Sequence, residues 1–126
     1  MSSLSDYFEN ALLVWAMSNG AVTRPTAWHV ALFTAAPSDS GGGTEVSGGG
    51  YARQAASFTI SGSSASNTSI IDFESTGDWA NITHIGIFDA STAGNLLWHG
   101  ALASARDPSA GDIIRFKAGQ LIVTLA

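Results

Sequence analysis

AWHVALFTA, residues 27–35, decides the fold. Trp28, Val30 and Leu32 alternate with His29, Ala31 and Phe33, so the stretch reads as a strand that is apolar on both faces. The period upstream is different. Leu4, Tyr7, Phe8, Ala11, Leu12 and Trp15 recur at i, i+3, i+4, i+7, i+8 and i+11, one stripe of an amphipathic helix expected over about residues 4–18. Ser3 followed by Asp6 suggests an acidic variant of a capping box, and Gly20 a stop. A helix this short is marginal alone in water, so its stripe must rest on something, most simply the domain's own core.

Downstream the period stays near 2. Strands are expected at 51–60, 69–75, 82–89, 96–103, 113–116 and 121–126, separated by Gly-, Ser-, Asn- and Asp-rich turns, with a Ser/Asn turn region at 61–69. With 27–35 this makes about seven strands and no βαβ alternation. The expected fold is therefore mainly β, an antiparallel β-sandwich or barrel with one N-terminal amphipathic helix. One domain over 1–126 is expected, with the β-domain at about 27–126 and a Gly-rich loop at 36–50.

Charged residues make up only 12% of the 126, about half the usual share, so Ser, Thr, Asn, Gly and Ala must cover much of the surface. Such a surface loses little hydration when a partner docks. The net charge is −5, and the basic residues Arg24, Arg53, Arg106, Arg115 and Lys117 are scattered, which argues against nucleic-acid binding. Cysteine is absent, so disulfides and thiolate metal sites are excluded. Residues 1–20 carry Asp6 and Glu9 with no basic run, are not read as a signal peptide, and are too short and polar to span a bilayer.

The loop GGGTEVSGGGYARQ (41–54) has the look of a phosphate cradle. Gly43 and Gly48 have the Walker spacing, but Gly49-Gly50 stand where Lys-Ser/Thr is required, a strand follows instead of a helix, and Glu45 would sit beside the phosphates. The alternative is physical: two glycine runs that permit positive φ flank Thr44-Glu45-Val46, a short extended rung, in a loop suited to a lid, a hinge or an arm that orders on a partner. His29, His84 and His99 lie in expected strands without zinc-site spacing, so no metal is expected. No G-x-S-x-G elbow is present. Asp72 and Glu74 share a strand face that is read as solvated rather than as a glycosidase pair. Of the four tryptophans, Trp15, Trp28 and Trp98 are expected in the core. Trp79 follows Gly77-Asp78 in a connection and is expected near the surface, as an interface anchor or, on a carbohydrate-module reading, a sugar platform.

Leu4-Ser5-Asp6-Tyr7, Ala31-Leu32-Phe33-Thr34-Ala35, Thr44 to Gln54, Ile82 to Ala90, Gly94 to Leu102 and Gly111 to Leu125 resemble, in the same order, the segments of a family of small tailed-phage virion proteins described as tail fibre proteins and similar in size to capsid decoration (cement) proteins. The resemblance implies a non-enzymatic virion component, assembled in the host cytoplasm, with no catalytic residue and no cofactor. It makes Thr44 to Gln54 the segment expected to touch a neighbour, with Arg53, preceded by Tyr51, pairing with a neighbour's carboxylate. The interface candidates are thus Thr44, Glu45, Val46, Tyr51, Arg53 and Trp79. With no room for a fibre shaft in 126 residues, the expectation is a capsid decoration subunit contacting the major capsid protein or other virion proteins, itself homo-oligomeric as trimers; a tail fibre or tail accessory subunit is the alternative.

Overall fold

The computed structural model describes residues 3–125. The chain runs β1 (Ser3–Leu4), α1 (Asp6–Met17), β2 (Trp28–Ala35), β3 (Thr44–Glu45), β4 (Gln54–Ala56), β5 (Phe58–Ser61), β6 (Ser64–Asn67), β7 (Ile71–Glu74), β8 (Ile82–Phe88), β9 (Leu96–Arg106), β10 (Ile113–Phe116) and β11 (Ile122–Thr124). It is mainly β, as the alternation predicts, and every strand pair is antiparallel.

The strands form a large sheet in the order β1-β9-β8-β2-β3, with β4 also paired to β2, and two small sheets, β10-β7 and β11-β6-β5. It is not a closed barrel. Val30 lies opposite Ile87, and Leu32 opposite Ile85, on one face of the large sheet. Across from them sit Ile71 and Phe73 of β7, Ile114 and Phe116 of β10, and Leu121; Val46, Trp79 and Ile82 complete this buried cluster. The other face of β2 is covered as well, since Ala31 and Phe33 are also buried. Gly86 makes room there: a Cβ on it would stand 2.9 Å from the Phe33 ring and 3.0 Å from Leu96.

The described residues hold eleven strands where about seven were expected. The stretch 51–60 is two elements rather than one. β4 belongs to the large sheet and β5 to a small one, so the chain changes layer at Ser57. Part of the expected Ser/Asn turn, Ser64–Asn67, is a strand, pinned by the buried Asn67. Its amide Nδ2 donates to the Ser69 and Lys117 carbonyls (2.8 and 2.9 Å), and its Oδ1 accepts from the Leu121 amide (2.9 Å).

The helix also starts and stops differently. Leu4 is drawn into β1 opposite Trp98, so Ser5, not Ser3, caps α1. Its hydroxyl accepts from the Phe8 amide and donates to the Leu96 carbonyl. The C-cap is Ser18 in extended conformation, ahead of Gly20. No residue of α1 is buried. Phe8 meets Trp98 edge-on, with 6.0 Å between ring centroids, but the expectation that Trp15 is core is corrected: it is 72% exposed. Trp15 lies on the same stripe two turns later, roughly 10 Å along the axis, where the helix has passed beyond its support on β9. No helix among the described residues is long and apolar enough to cross a membrane.

Candidate functional site

The glycine-rich loop is a built structure. All six glycines of 41–50 take positive φ. Thr44 and Glu45 form the anticipated rung, paired with Ala35 and Phe33 at the large sheet's edge. The Val46 amide continues the ladder to the Leu32 carbonyl (3.0 Å), and its side chain is buried. Gly49, at φ 56°, brings its carbonyl onto the indole N–H of Trp79 (3.0 Å); a Cβ on Gly49 would stand 2.7 Å from that nitrogen. Trp79 is consequently 4% exposed, which corrects the expectation that it lies near the surface and removes it as a sugar platform. Its connection looks polar in sequence, but the loop closes over it and satisfies its one polar atom.

Tyr51 leaves the second glycine run and turns inward. Its ring stacks on Phe73 and meets Trp79 edge-on, with centroids 6.2 and 5.7 Å away. Its hydroxyl donates to Glu45 Oε2 (2.5 Å) and accepts from the Leu32 amide (3.0 Å). Arg53 closes the loop from the other side. Nε and Nη2 form a two-pronged pair with the Glu45 carboxylate, both at 2.9 Å, and Nη1 donates to the carbonyls of Ala90 (3.1 Å) and Ala93 (2.8 Å). The guanidinium carbon lies 3.7 Å from the centre of the Phe88 ring. The Arg53 side chain is 9% exposed, so its charge is spent inside the chain, on Glu45.

The charge states follow. Burial pushes the Glu45 carboxyl up, but hydrogen bonds from Arg53 and Tyr51, and the positive charge of Arg53, outweigh it and hold the carboxyl below its ordinary value. Burial, then donation to the Glu45 anion, raises the Tyr51 phenol far above its usual range. The Glu45 hydrogen bond raises Arg53 further. The three groups hold one anion, one cation and one neutral hydroxyl at neutral pH: a lock, with no group poised to exchange protons near pH 7.

Of the expected interface residues, Glu45, Tyr51 and Arg53 are thus brought together, Val46 and Trp79 are packed below them, and Thr44 alone is fully at the surface. Sequence reasoning missed Phe88 as the platform under Arg53, and the 90–93 turn that supplies two carbonyls. The turn is made by Asp89, which accepts from the Asn95 amide and side chain (2.7 and 3.0 Å). Asp89 and Asn95 flanking Gly94 were the available signal.

The remaining candidates are dispersed. His84 Nδ1 pairs with the Thr83 hydroxyl (2.8 Å), His99 Nε2 with Asp39 (2.7 Å), and His29 Nδ1 is buried without a hydrogen-bond partner. Among the described residues no three His, Asp or Glu side chains are grouped to hold a metal. Asp72 pairs across strands with Arg115 (2.7 and 2.9 Å) on an exposed face, while Glu74 stands opposite Ile113.

The geometry is that of a layered antiparallel β-module, with its strongest polar cluster turned inward as a brace and the apolar C-terminal half of its helix turned outward. Residues 3–124 match the family described as podophage GP4 fiber I protein gp80, and the chain belongs to that family of phage virion proteins. A search of curated proteins returned no match.

Proposed function

We propose that this chain is a non-enzymatic subunit of a tail fibre in a podophage-type virion, acting through protein–protein contacts. The observation that carries the proposal is the family match over 3–124, whose description names a fibre protein. The description supports the fibre reading over head decoration, which chain length and likeness in size to cement proteins had favoured. The fold supports a structural part: the conspicuous Glu45–Arg53–Tyr51 cluster is satisfied within the chain, and the surface is poor in charge. Immunogold labelling of intact particles with antibody to this chain tests it. Label on tail appendages is the expected result. Label distributed over the head would assign the chain to capsid decoration, and particles lacking the chain would remove it from the virion.

A further inference from the structure

The chain holds five asparagines, and one of them, Asn19, is followed by glycine. The other four are protected by structure. Asn10 lies within α1, and Asn67 is buried with its amide bonded to two carbonyls. Asn95 is held by Asp89 through its backbone and its side chain, and Asn81 is followed by the β-branched, buried Ile82. Asn19 has none of this. It is exposed, one residue past the C-cap Ser18, in the connection between α1 and β2. Its side-chain amide has no hydrogen-bond partner among the described residues. The Gly20 amide belongs to no ladder and donates to the exposed Ser18 hydroxyl (3.1 Å). Residue 20 runs so close to the helix that a Cβ there would stand 2.7 Å from Val14 Cγ1, so glycine is what lets the chain leave α1 by this path.

We propose that Asn19 is a site of deamidation, an ageing modification that requires water and no enzyme. The Gly20 backbone nitrogen loses its proton and attacks Asn19 Cγ. The new C–N bond closes a five-membered imide, the old bond to the side-chain nitrogen breaks, and ammonia leaves with the proton. Water then opens the imide at either carbonyl, leaving aspartate or isoaspartate. One water enters, one ammonia leaves, and no oxidant or reductant takes part. Glycine obstructs the attack least, because no Cβ flanks the nitrogen and its backbone turns freely towards the ring geometry. At neutral pH the product adds one negative charge to the −5 of the fresh chain, within a stretch, Asn10 to Thr23, that has none. The carboxylate arrives at the C-terminal end of α1, where the helix dipole repels an anion and no basic residue stands in the last turn. It also charges the neighbourhood of the exposed Trp15 and Met17. This chemistry is independent of the fibre role proposed above.

Peptide mass spectrometry of the purified, folded chain, sampled during incubation in mildly alkaline buffer, tests the assignment. The Asn19 peptide should convert at least about tenfold faster than the peptide of any other asparagine. The product should be a mixture of aspartate and isoaspartate, the latter accepted by an isoaspartyl methyltransferase, and a more acidic band should appear on isoelectric focusing. Since neither reacting group is held, the folded chain should convert within about tenfold of its rate in urea. Gly20→Ala should slow the conversion about tenfold or more. Asn19→Gln, which would need a six-membered ring, should abolish the acidic band. Both positions are exposed, so circular dichroism should show an unchanged fold, and Asn19→Gln suffices if crowding against Val14 disturbs the other variant. An Asn19 peptide no faster than the rest, protection in the folded state beyond that tenfold margin, an unchanged rate in a folded Gly20→Ala chain, or an acidic band that persists in Asn19→Gln would each overturn the assignment.

Discussion

Replacing Arg53 with alanine is the sharpest probe of the brace. The substitution removes the two-pronged pair with Glu45, the bonds to the carbonyls of Ala90 and Ala93, and the contact over Phe88. Breaking a buried pair by deleting one partner costs about 3–5 kcal/mol, and Glu45 belongs at the low end because it keeps the Tyr51 hydroxyl and some access to water. The lost contact with Phe88 adds roughly 0.5–1 kcal/mol. The carbonyl of Ala93 can turn to water, so little is added there. The expected loss is about 3–4 kcal/mol, or a Tm lower by roughly 10–15 °C for a domain of this size. Arg53→Lys keeps the charge but not the fork, and should cost about half as much. Urea unfolding at pH 7 reads both. A double-mutant cycle with Glu45→Gln then isolates the pair, with an expected coupling of about 1–3 kcal/mol. An Arg53→Ala chain within ~1 kcal/mol of wild type, or a coupling below ~0.5 kcal/mol, would refute the claim that the loop is braced by this pair.

Acid should loosen the brace. The Glu45 carboxyl has a folded pKa held below its ordinary value near 4.5, so its stabilisation is complete above that pH and is lost as pH falls through the lower folded value. Urea midpoints between pH 7 and pH 3 should therefore decline less in Glu45→Gln than in wild type, and parallel declines would count against it. Trp79→Phe keeps an aromatic ring but removes the indole bond to the Gly49 carbonyl, which still accepts from the Thr76 amide (2.8 Å), an expected loss of about 0.5–1.5 kcal/mol. Trp15→Ser should lie within about 0.5 kcal/mol of wild type. Thermal unfolding of the two variants side by side checks the assignment of inside and outside, and an inverted order would contradict it.

Periodicity carried the large features. The 3.6-residue stripe placed the helix, and the double-sided alternation of 27–35 placed a strand with apolar residues on both faces, which β2 buries from Val30 to Phe33. What it could not carry were elements too short to have a period. β1 is two residues and exists because a neighbouring strand offers hydrogen bonds; β3, as short, was legible only as an extended rung between two glycine runs, not as a period. Ser64–Asn67 has a turn's composition and becomes a strand through tertiary pairing. The tryptophans fail for a related reason. Amphipathic spacing says which way Trp15 faces but not how far the supporting sheet extends, and a Gly-Asp neighbourhood says nothing of a loop folding back over Trp79. Arg53 was legible as a paired charge; that its carboxylate lay eight residues upstream, rather than on another molecule, required the loop's path.

The passage of one chain from layer to layer at Ser57 has a mechanical meaning. β4 is stitched to β2 and β5 to β6, with a single residue between them. The two layers therefore share a continuous covalent thread at one margin, since β4 borders the large sheet and β5 is the edge strand of the small one. Tension on one layer passes to the other along that backbone, so they cannot be peeled apart without unzipping a row of hydrogen bonds in one of them. On the fibre role proposed above, such stitching would resist the drag and impact met on the way to a host.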